Sequence, residues 1–238
     1  MSYGDRLLER REAQHLSLHL GLWPGEGDLA AAQARLDALV LDHAGLHEGA
    51  VVWDIGCGLG GTLLAASRRA RLDLHGLNPS ADQLDVARKA VPQATFHQGT
   101  AGAIPAEDGS VDVVLSVEAA FHFPSRAGFV AEARRVLKPG GRLVLTDLWP
   151  LNIPADARSE LVEGIGPWPD VAGLTADWPT LFSEAAILDL SARTQPSYPC
   201  FLGPNGPKEW SPMTRAVARL QALQASGHVR VLLAAGTL

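Results

Sequence analysis

Short runs of apolar, often β-branched residues alternate along the chain with amphipathic segments whose apolar side chains recur every three or four positions. The amphipathic segments predict helices at Leu29 to Ala44, from an N-cap at Ser80 through Ala90, and from about Ser125 to Leu137. The apolar runs predict strands at Val51 to Ile55, Leu72 to Leu77, Ala94 to His97, Val111 to Val117, Arg142 to Leu148, Ile187 to Arg193 and His228 to Ala234.

Strands that alternate with helices predict a parallel sheet covered by helices on both faces. We therefore expect an α/β protein with a doubly wound, mostly parallel seven-stranded sheet, a Rossmann-like fold, and a small cap segment. A length of 238 residues fits a single domain over residues 1–238.

The alternation breaks between Trp149 and Pro212, a segment that holds ten of the sixteen prolines and four of the six tryptophans. Aromatic side chains held by prolines form rigid apolar walls, and long irregular insertions beside strand ends commonly build binding sites. Residues 149–186 and 196–212 are therefore predicted to be substrate-cap segments, with Trp149 and Trp168 as wall residues, although ordinary packing explains many of these aromatics equally well.

Composition narrows the class of partner. The formal charge of -6 and the pI near 5.7, with no basic stripe, disfavour binding to nucleic acid or to anionic membranes. Two cysteines cannot build a disulfide framework or a thiolate zinc site, and the scattered histidines lack acidic partners at ligand spacing, so no metal site is expected. The sequence shows no long apolar span and no signal-peptide pattern, which predicts a cytoplasmic enzyme.

The run from Val51 to Thr62 carries the most chemical information, because a buried strand leads directly into a glycine-rich turn and then into a helical pattern. Gly56, Gly58 and Gly60 permit positive φ angles and allow the backbone to approach a ligand closely. Asp54, at the end of the strand, can accept hydrogen bonds from a ligand ammonium group or fix the loop. The glycines follow G-x-G-x-G rather than the dinucleotide fingerprint G-x-G-x-x-G.

This spacing, with an acid just before it, resembles motif I of the class I S-adenosylmethionine-dependent methyltransferases. Four more segments between about His19 and Pro150 resemble the branch that acts on sugars, macrolides, sterols and quinones. They are Leu18-His-Leu-Gly-Leu-Trp23, Gly76-Leu-Asn-Pro-Ser-Ala-Asp-Gln83, Ser110-Val-Asp-Val-Val-Leu-Ser-Val-Glu118 and Arg135-Val-Leu-Lys-Pro-Gly-Gly-Arg-Leu143. The first is similar to the start of a cofactor lid, which places an N-terminal lid over residues 1–28.

The resemblance implies that S-adenosylmethionine is the cofactor and that its contacts come from Asp54, Gly56, Gly58, Gly60, Asn78, Gln83, Thr100, Ala101, Ser116 and Glu118. Two positions depart from the common pattern of the family. Asn78 stands where an acid usually binds the ribose, and Thr100 stands where Asp usually meets the adenine amino group. Asn can still accept and donate hydrogen bonds there, so we expect the cofactor to be retained with altered affinity.

The segment Glu118-Ala-Ala-Phe-His-Phe123 resembles the stretch in which sugar and macrolide O-methyltransferases carry a basic histidine. It implies that His122 is the general base, because imidazole titrates close to neutral pH, with Asp147 supporting the base or the acceptor hydroxyl. Trp23 and Phe121 join the two tryptophans as expected substrate contacts.

The favoured hypothesis is methyl transfer to a hydroxyl of a small, partly apolar metabolite, by a monomer or a homodimer. Transfer to carbon or nitrogen, as in quinone and sterol methyltransferases, stays open, and so does a non-catalytic cofactor-binding protein on the same fold. The sequence does not identify the acceptor or its pathway.

Overall fold

The computed structural model describes residues 16–25, 27–165, 174–202 and 211–238. Within these ranges seven strands form one sheet in the order β3-β2-β1-β4-β5-β7-β6. They are β1 (Val51–Ile55), β2 (Asp73–Asn78), β3 (Thr95–Gln98), β4 (Val111–Val117), β5 (Leu137–Pro150), β6 (Ser183–Asp189) and β7 (Val229–Thr237). Strand β7 is antiparallel to both neighbours, and the other pairs are parallel. This topology confirms the predicted doubly wound fold.

The described helices are α1 (Leu29–His43), α2 (Gly61–Ala66), α3 (Ala81–Ala90), α4 (Arg126–Val136), α5 (Ala155–Ile165), α6 (Leu174–Leu181), α7 (Ser191–Thr194), α8 (Tyr198–Leu202) and α9 (Pro212–Ala225). Short 3-10 turns cover Ala120–His122 and Gln195–Ser197. Four helices begin at a side chain that accepts a hydrogen bond from the backbone N–H three residues later, which satisfies one free donor of the first turn. These N-caps are Asp28, Ser80, Ser125 and Ser211.

Alternate residues along the central strands face opposite sides of the sheet. On β5, Val144 and Leu148 pack in one core with helices α1, α2 and α9, whereas Leu145 and Trp149 pack in a second core. Helices α4 and α6 supply Phe129 and Trp178 to that second core. The period of two along each strand therefore decides which face every strand residue reaches.

The sixth strand was predicted at the wrong place. The apolar residues from Ile187 suggested a strand through Arg193, but β6 covers Ser183–Asp189 and the chain turns immediately afterwards. The Asp189 carboxylate accepts a hydrogen bond from the Ser191 N–H, and helix α7 follows. This local side-chain bond competes with strand continuation. Strand β5 also begins earlier than expected, at Leu137, which pairs with Val111.

Candidate active site

A cavity of about 600 Å³ opens at the carboxyl ends of β1, β2 and β4. Three structures enclose it. The glycine turn, residues 56–61, forms one side, and the roof segment, residues 16–23, covers it with Leu16, Ser17, Leu18, His19 and Leu20. The helical wall closes the far side with Tyr198, Phe201, Met213, Val217 and Leu220. Ligand sites of open α/β sheets occupy this position because the loops that follow parallel strands meet at one edge.

The glycine turn adopts the backbone conformation that its sequence predicts. Gly56, Gly58 and Gly60 have φ angles of 79°, 53° and 86°. A Cβ at Gly56 would lie 2.4 Å from the Ala119 Cβ, so a side chain there has no room. Gly58 lines the cavity, and a Cβ there would meet only Leu18. Gly60 does not line it; a Cβ at that position would crowd Val91 and Ala87 instead.

Asp54 is the penultimate residue of β1 and lines the cavity with only 2% of its surface exposed. Its Oδ1 atom is buried and has no hydrogen-bond partner among the described residues. Burial, reinforced by the nearby charge of Asp37, raises the pKa of Asp54 to about 7, although His19 opposes the shift. An unpaired buried carboxylate oxygen is costly, so this position is built to receive a donor or a cation.

Asn78 and Gln83 lie together on the cavity surface at the end of β2 and the start of α3. The Asn78 amide donates a 2.7 Å hydrogen bond to the Gln83 side-chain oxygen. Thr100 and Ala101 line the same end of the cavity. The Gly99 N–H donates to the Asn78 carbonyl, which brings the chain before Thr100 and Ala101 next to the end of β2.

Glu118 follows β4 and adopts a left-handed backbone conformation with φ 47°, which is rare for a residue other than glycine. Its Oε2 atom accepts a 2.9 Å hydrogen bond from the Leu20 N–H of the roof segment. Its Oε1 atom is buried and has no hydrogen-bond partner among the described residues. Burial raises the pKa of Glu118 to about 7, against the opposing charge of His19. A second buried carboxylate therefore faces the cavity.

His19 fixes the roof segment to helix α1. Its Nε2 atom lies 3.3 Å from Asp37 Oδ1, and both side chains are buried. Burial by itself lowers the pKa of His19, but the charge and hydrogen bond of Asp37, with the charge of Glu118, raise it to about 9. Asp37 also accepts a hydrogen bond from the Thr62 hydroxyl, 2.7 Å away. The histidine is therefore an imidazolium at neutral pH and holds the roof electrostatically.

His122 and Phe121 line the cavity on the 3-10 turn that follows β4. Their ring centroids lie 3.9 Å apart, and His122 is exposed whereas Phe121 is buried. Asp147 of β5 holds this turn in place, because its Oδ1 accepts a hydrogen bond from the Phe121 N–H. The other Asp147 oxygen pairs with the Arg126 Nε at 2.6 Å, in a fully buried ion pair.

Several predicted site residues do not reach the cavity. Asp147, Trp149 and Ser116 occupy strand positions whose side chains face away from it, whereas their neighbours Leu148 and Val117 line it. Trp23 lies half-buried beside the cavity, and its indole N–H donates to the Ser197 hydroxyl. Trp168 lies outside the described residues. In the described part of 149–186 no residue lines the cavity, whereas Tyr198 and Phe201 of the segment 196–212 do.

Two groups of lining residues were not expected from the sequence. His19 was treated as one of several scattered histidines, although the segment that contains it was singled out for its resemblance to a lid. The α9 residues Met213, Val217 and Leu220 follow an i, i+4, i+7 spacing, which marks one face of a helix without showing what it faces. In the described ranges, no group of three or more His, Cys, Asp or Glu is placed to hold a metal ion, and no helix is long and apolar enough to cross a bilayer.

The seven-stranded topology, the glycine turn and the unpaired carboxylates at the strand ends define a class of protein. Residues 53–145 match the family model described as a methyltransferase domain. This part of the chain is therefore related to methyltransferase domains, and the described fold resembles that of the class I S-adenosylmethionine-dependent methyltransferases.

Named proteins show how far this similarity extends. The chain is 29% identical over 202 residues to methyltransferase GfsG of Streptomyces halstedii, which covers 78% of this chain and 73% of that protein. It is 32% identical over 159 residues to 27-O-demethylrifamycin SV methyltransferase of Amycolatopsis mediterranei (strain S699), covering 63% of this chain and 58% of the relative. A solved structure of geranyl diphosphate methyltransferase, with geranyl diphosphate and sinefungin, superimposes with a TM-score of 0.82 at 17% identity, over 99% of this chain and 98% of that one.

Proposed function

We propose that the protein transfers a methyl group from S-adenosylmethionine to a hydroxyl group of a small, largely apolar metabolite, with His122 as the general base. One observation supports the proposal: His122 is among the residues that line the cavity. The relative named for a 27-O-demethyl acceptor supports an oxygen nucleophile.

The cavity residues fit the cofactor at both of its ends. Asp54 and Glu118 each offer a buried carboxylate oxygen without a partner, which suits an ammonium group. The Asn78–Gln83 pair can turn its amide groups to the ribose hydroxyls, and Thr100 and Ala101, which also line the cavity, would contact the adenine. When bound, the cofactor supplies an electrophilic sulfonium methyl group.

The residues of this chain contribute chiefly by positioning and by excluding water. The roof segment and the helical wall surround the cavity with leucine, phenylalanine and methionine side chains. Such a lining dries the reacting groups and aligns an apolar acceptor, and alignment is the main source of acceleration in a direct displacement.

His122 accepts the proton of the acceptor hydroxyl in this scheme. The buried Asp147–Arg126 pair acts as its support, because Asp147 holds the N–H of the adjacent Phe121 rather than the imidazole. Asp147 is therefore proposed as a positioning residue for the turn that bears the base.

The test begins with a metabolite pool incubated with the protein and S-adenosylmethionine, followed by a search for mass gains of one methylene unit. On the acceptor so found, His122→Asn should retain cofactor affinity and lower kcat by about 10²- to 10⁴-fold, the usual contribution of a positioned base. The parent rate should rise with pH as the base deprotonates, and the variant should lose that rise. A variant that turns over at the parental rate would remove His122 from the mechanism.

Methyl transfer to carbon or nitrogen is the second candidate. The unpaired Glu118 oxygen in the cavity favours it, since a carboxylate stabilises a cationic acceptor or intermediate. The position of the new methyl group in the product, read by NMR, separates the two: a methoxy signal supports the first proposal, and a C-methyl or N-methyl signal supports the second.

A further inference from the structure

Ser197 joins the two halves of the cavity. It is completely buried in the 3-10 turn just before α8. Its hydroxyl oxygen accepts hydrogen bonds from the Gly21 N–H at 2.7 Å and from the Trp23 indole N–H at 2.8 Å. The same hydroxyl lies 3.3 Å from the Gly21 carbonyl, to which it donates. All three contacts belong to the roof segment, 174 or more positions away in the sequence.

The roof segment contacts the opposite half of the cavity through the neighbouring residue. The N–H of Leu20 donates to Glu118, beside the proposed cofactor position, and the next N–H, of Gly21, donates to Ser197. Two successive backbone donors thus point to the two sides of the cavity. The two donors belong to successive planar peptide units that are joined at the Leu20 Cα, so the two contacts constrain the same short stretch of the roof from both sides.

Ser197 is also linked to the helical wall. The next residue, Tyr198, lines the cavity, and its hydroxyl donates a 2.6 Å hydrogen bond to the Gln224 oxygen on α9. The Gln224 amide in turn donates to the carbonyl of Ser191 and to the Thr194 hydroxyl. Hydrogen bonds at Glu118, Ser197 and Gln224, connected through neighbouring residues of the chain, therefore link Leu20 to α9.

We propose that Ser197 is a positioning residue that couples the two binding sites, so that closure of the roof over the cofactor orders the wall that receives the acceptor. The assignment of the helical wall to the acceptor rests on the proposed function. The coupling itself concerns only cofactor binding and the order of the wall.

Hydrogen–deuterium exchange with S-adenosylhomocysteine as the probe tests this coupling without an acceptor. In the parent protein, saturating probe should slow exchange in the roof, in residues 198–202 and in residues 212–225, by about fivefold in the wall, at the lower end of typical couplings between sites. In Ser197→Ala the probe should still slow exchange at the glycine turn and α3, while the slowing in the wall is largely lost.

The matched control is Ser191→Ala. This change removes a hydroxyl that accepts a hydrogen bond from the Val231 N–H and that contacts no roof residue. The variant should keep the parental response in the wall. Trp23→Phe deletes a single donor to Ser197 and should partly reduce the slowing of exchange in the wall. This second variant tests the proposal even if Ser197→Ala does not fold.

Two results overturn the proposal. One is a parental wall that does not respond to the probe. The other is a probe-dependent slowing in Ser197→Ala and Trp23→Phe equal to that of the parent, even if basal exchange is faster, since a purely structural serine would change basal exchange alone. Neither result depends on whether His122 is a base or on the acceptor atom, so the proposed function is tested separately.

Discussion

At the scale of single residues, the cavity is distinguished by buried carboxylates that have not been paired. Asp54 and Glu118 each keep one oxygen without a hydrogen-bond partner among the described residues, and burial raises both pKa values to about 7. Folding alone would favour removing such groups. Their retention at the ends of β1 and β4 is explained by a ligand that brings positive charge.

The pH dependence of cofactor binding follows from these groups. With a pKa of about 7, Asp54 is largely protonated below that pH in the empty site, and a bound ammonium favours its ionised form. Affinity for S-adenosylhomocysteine should therefore rise between about pH 6 and 8, with proton release at the lower pH. Asp54→Asn should bind about 10- to 100-fold more weakly and show a flatter profile, because a hydrogen bond to a charged group contributes about 1.5–3 kcal/mol.

Calorimetry in buffers of different ionisation enthalpy measures both quantities. The exposed carboxylate of Asp85, paired with Arg88 on the surface of α3, provides the control Asp85→Asn, which should bind as the parent does. Parental affinity and pH response in Asp54→Asn would show that the ammonium is bound elsewhere.

Which side chains face the cavity was only partly predictable. The sequence could single out the glycine turn and the Asn78–Gln83 pair, which do line the cavity, because turn chemistry and motif spacing are local. The positions of Ser116, Asp147 and Trp149 away from the cavity could not be predicted, since strands covered on both faces carry nearly continuous apolar runs that do not show which residues share a face. Only the structure shows that Leu148 faces the cavity and that Asp147 and Trp149, on either side of it, face the other way.

At the scale of elements, the roof segment depends on contacts with parts of the chain that are distant in sequence. It packs so closely on α1 that a Cβ at Gly21 would lie 2.4 Å from the Ala32 Cβ. Its charge partner is Asp37 of α1, and its other partners, Glu118 and Ser197, follow β4 and precede α8. None of these pairings has a local sequence signal, which is why the role of His19 was missed.

The His19–Asp37 ion pair gives the roof a defined pH limit. The pKa of His19 in the folded protein is about 9, above the ordinary 6.5, so its contribution is complete below about pH 6.5 and is lost as pH rises through about 9. His19→Gln should lower the free energy of unfolding by about 3 kcal/mol near pH 6, in the range found for broken buried pairs. The difference from the parent should shrink towards pH 10.

Urea unfolding at several pH values measures this difference. A double-mutant cycle with Asp37→Asn isolates the interaction between the two side chains. A cycle with no coupling energy, or a difference that stays constant with pH, would contradict the proposed charge on His19.

At the scale of the whole molecule, the fold brings the N-terminal roof and the C-terminal helices to the same edge of the sheet as the glycine turn. The doubly wound class of the sheet was predictable, because alternating strands and helices are compatible with few topologies. The joining of residues 16–23 to residues 191–225 was not, since it depends on tertiary contacts alone. That joining encloses the cavity from two sides.

The most direct test of this account is a calorimetric titration of S-adenosylhomocysteine into the parent protein and into Gly58→Val. Gly58 lines the cavity with φ 53° beneath Leu18, so a valine would strain the turn and place its methyl groups between the turn and the roof. We expect one binding site at micromolar concentration in the parent and severe loss of affinity in a variant whose circular dichroism remains native. Equal affinity in the two folded proteins would contradict it, because the cofactor would then lie outside this cavity.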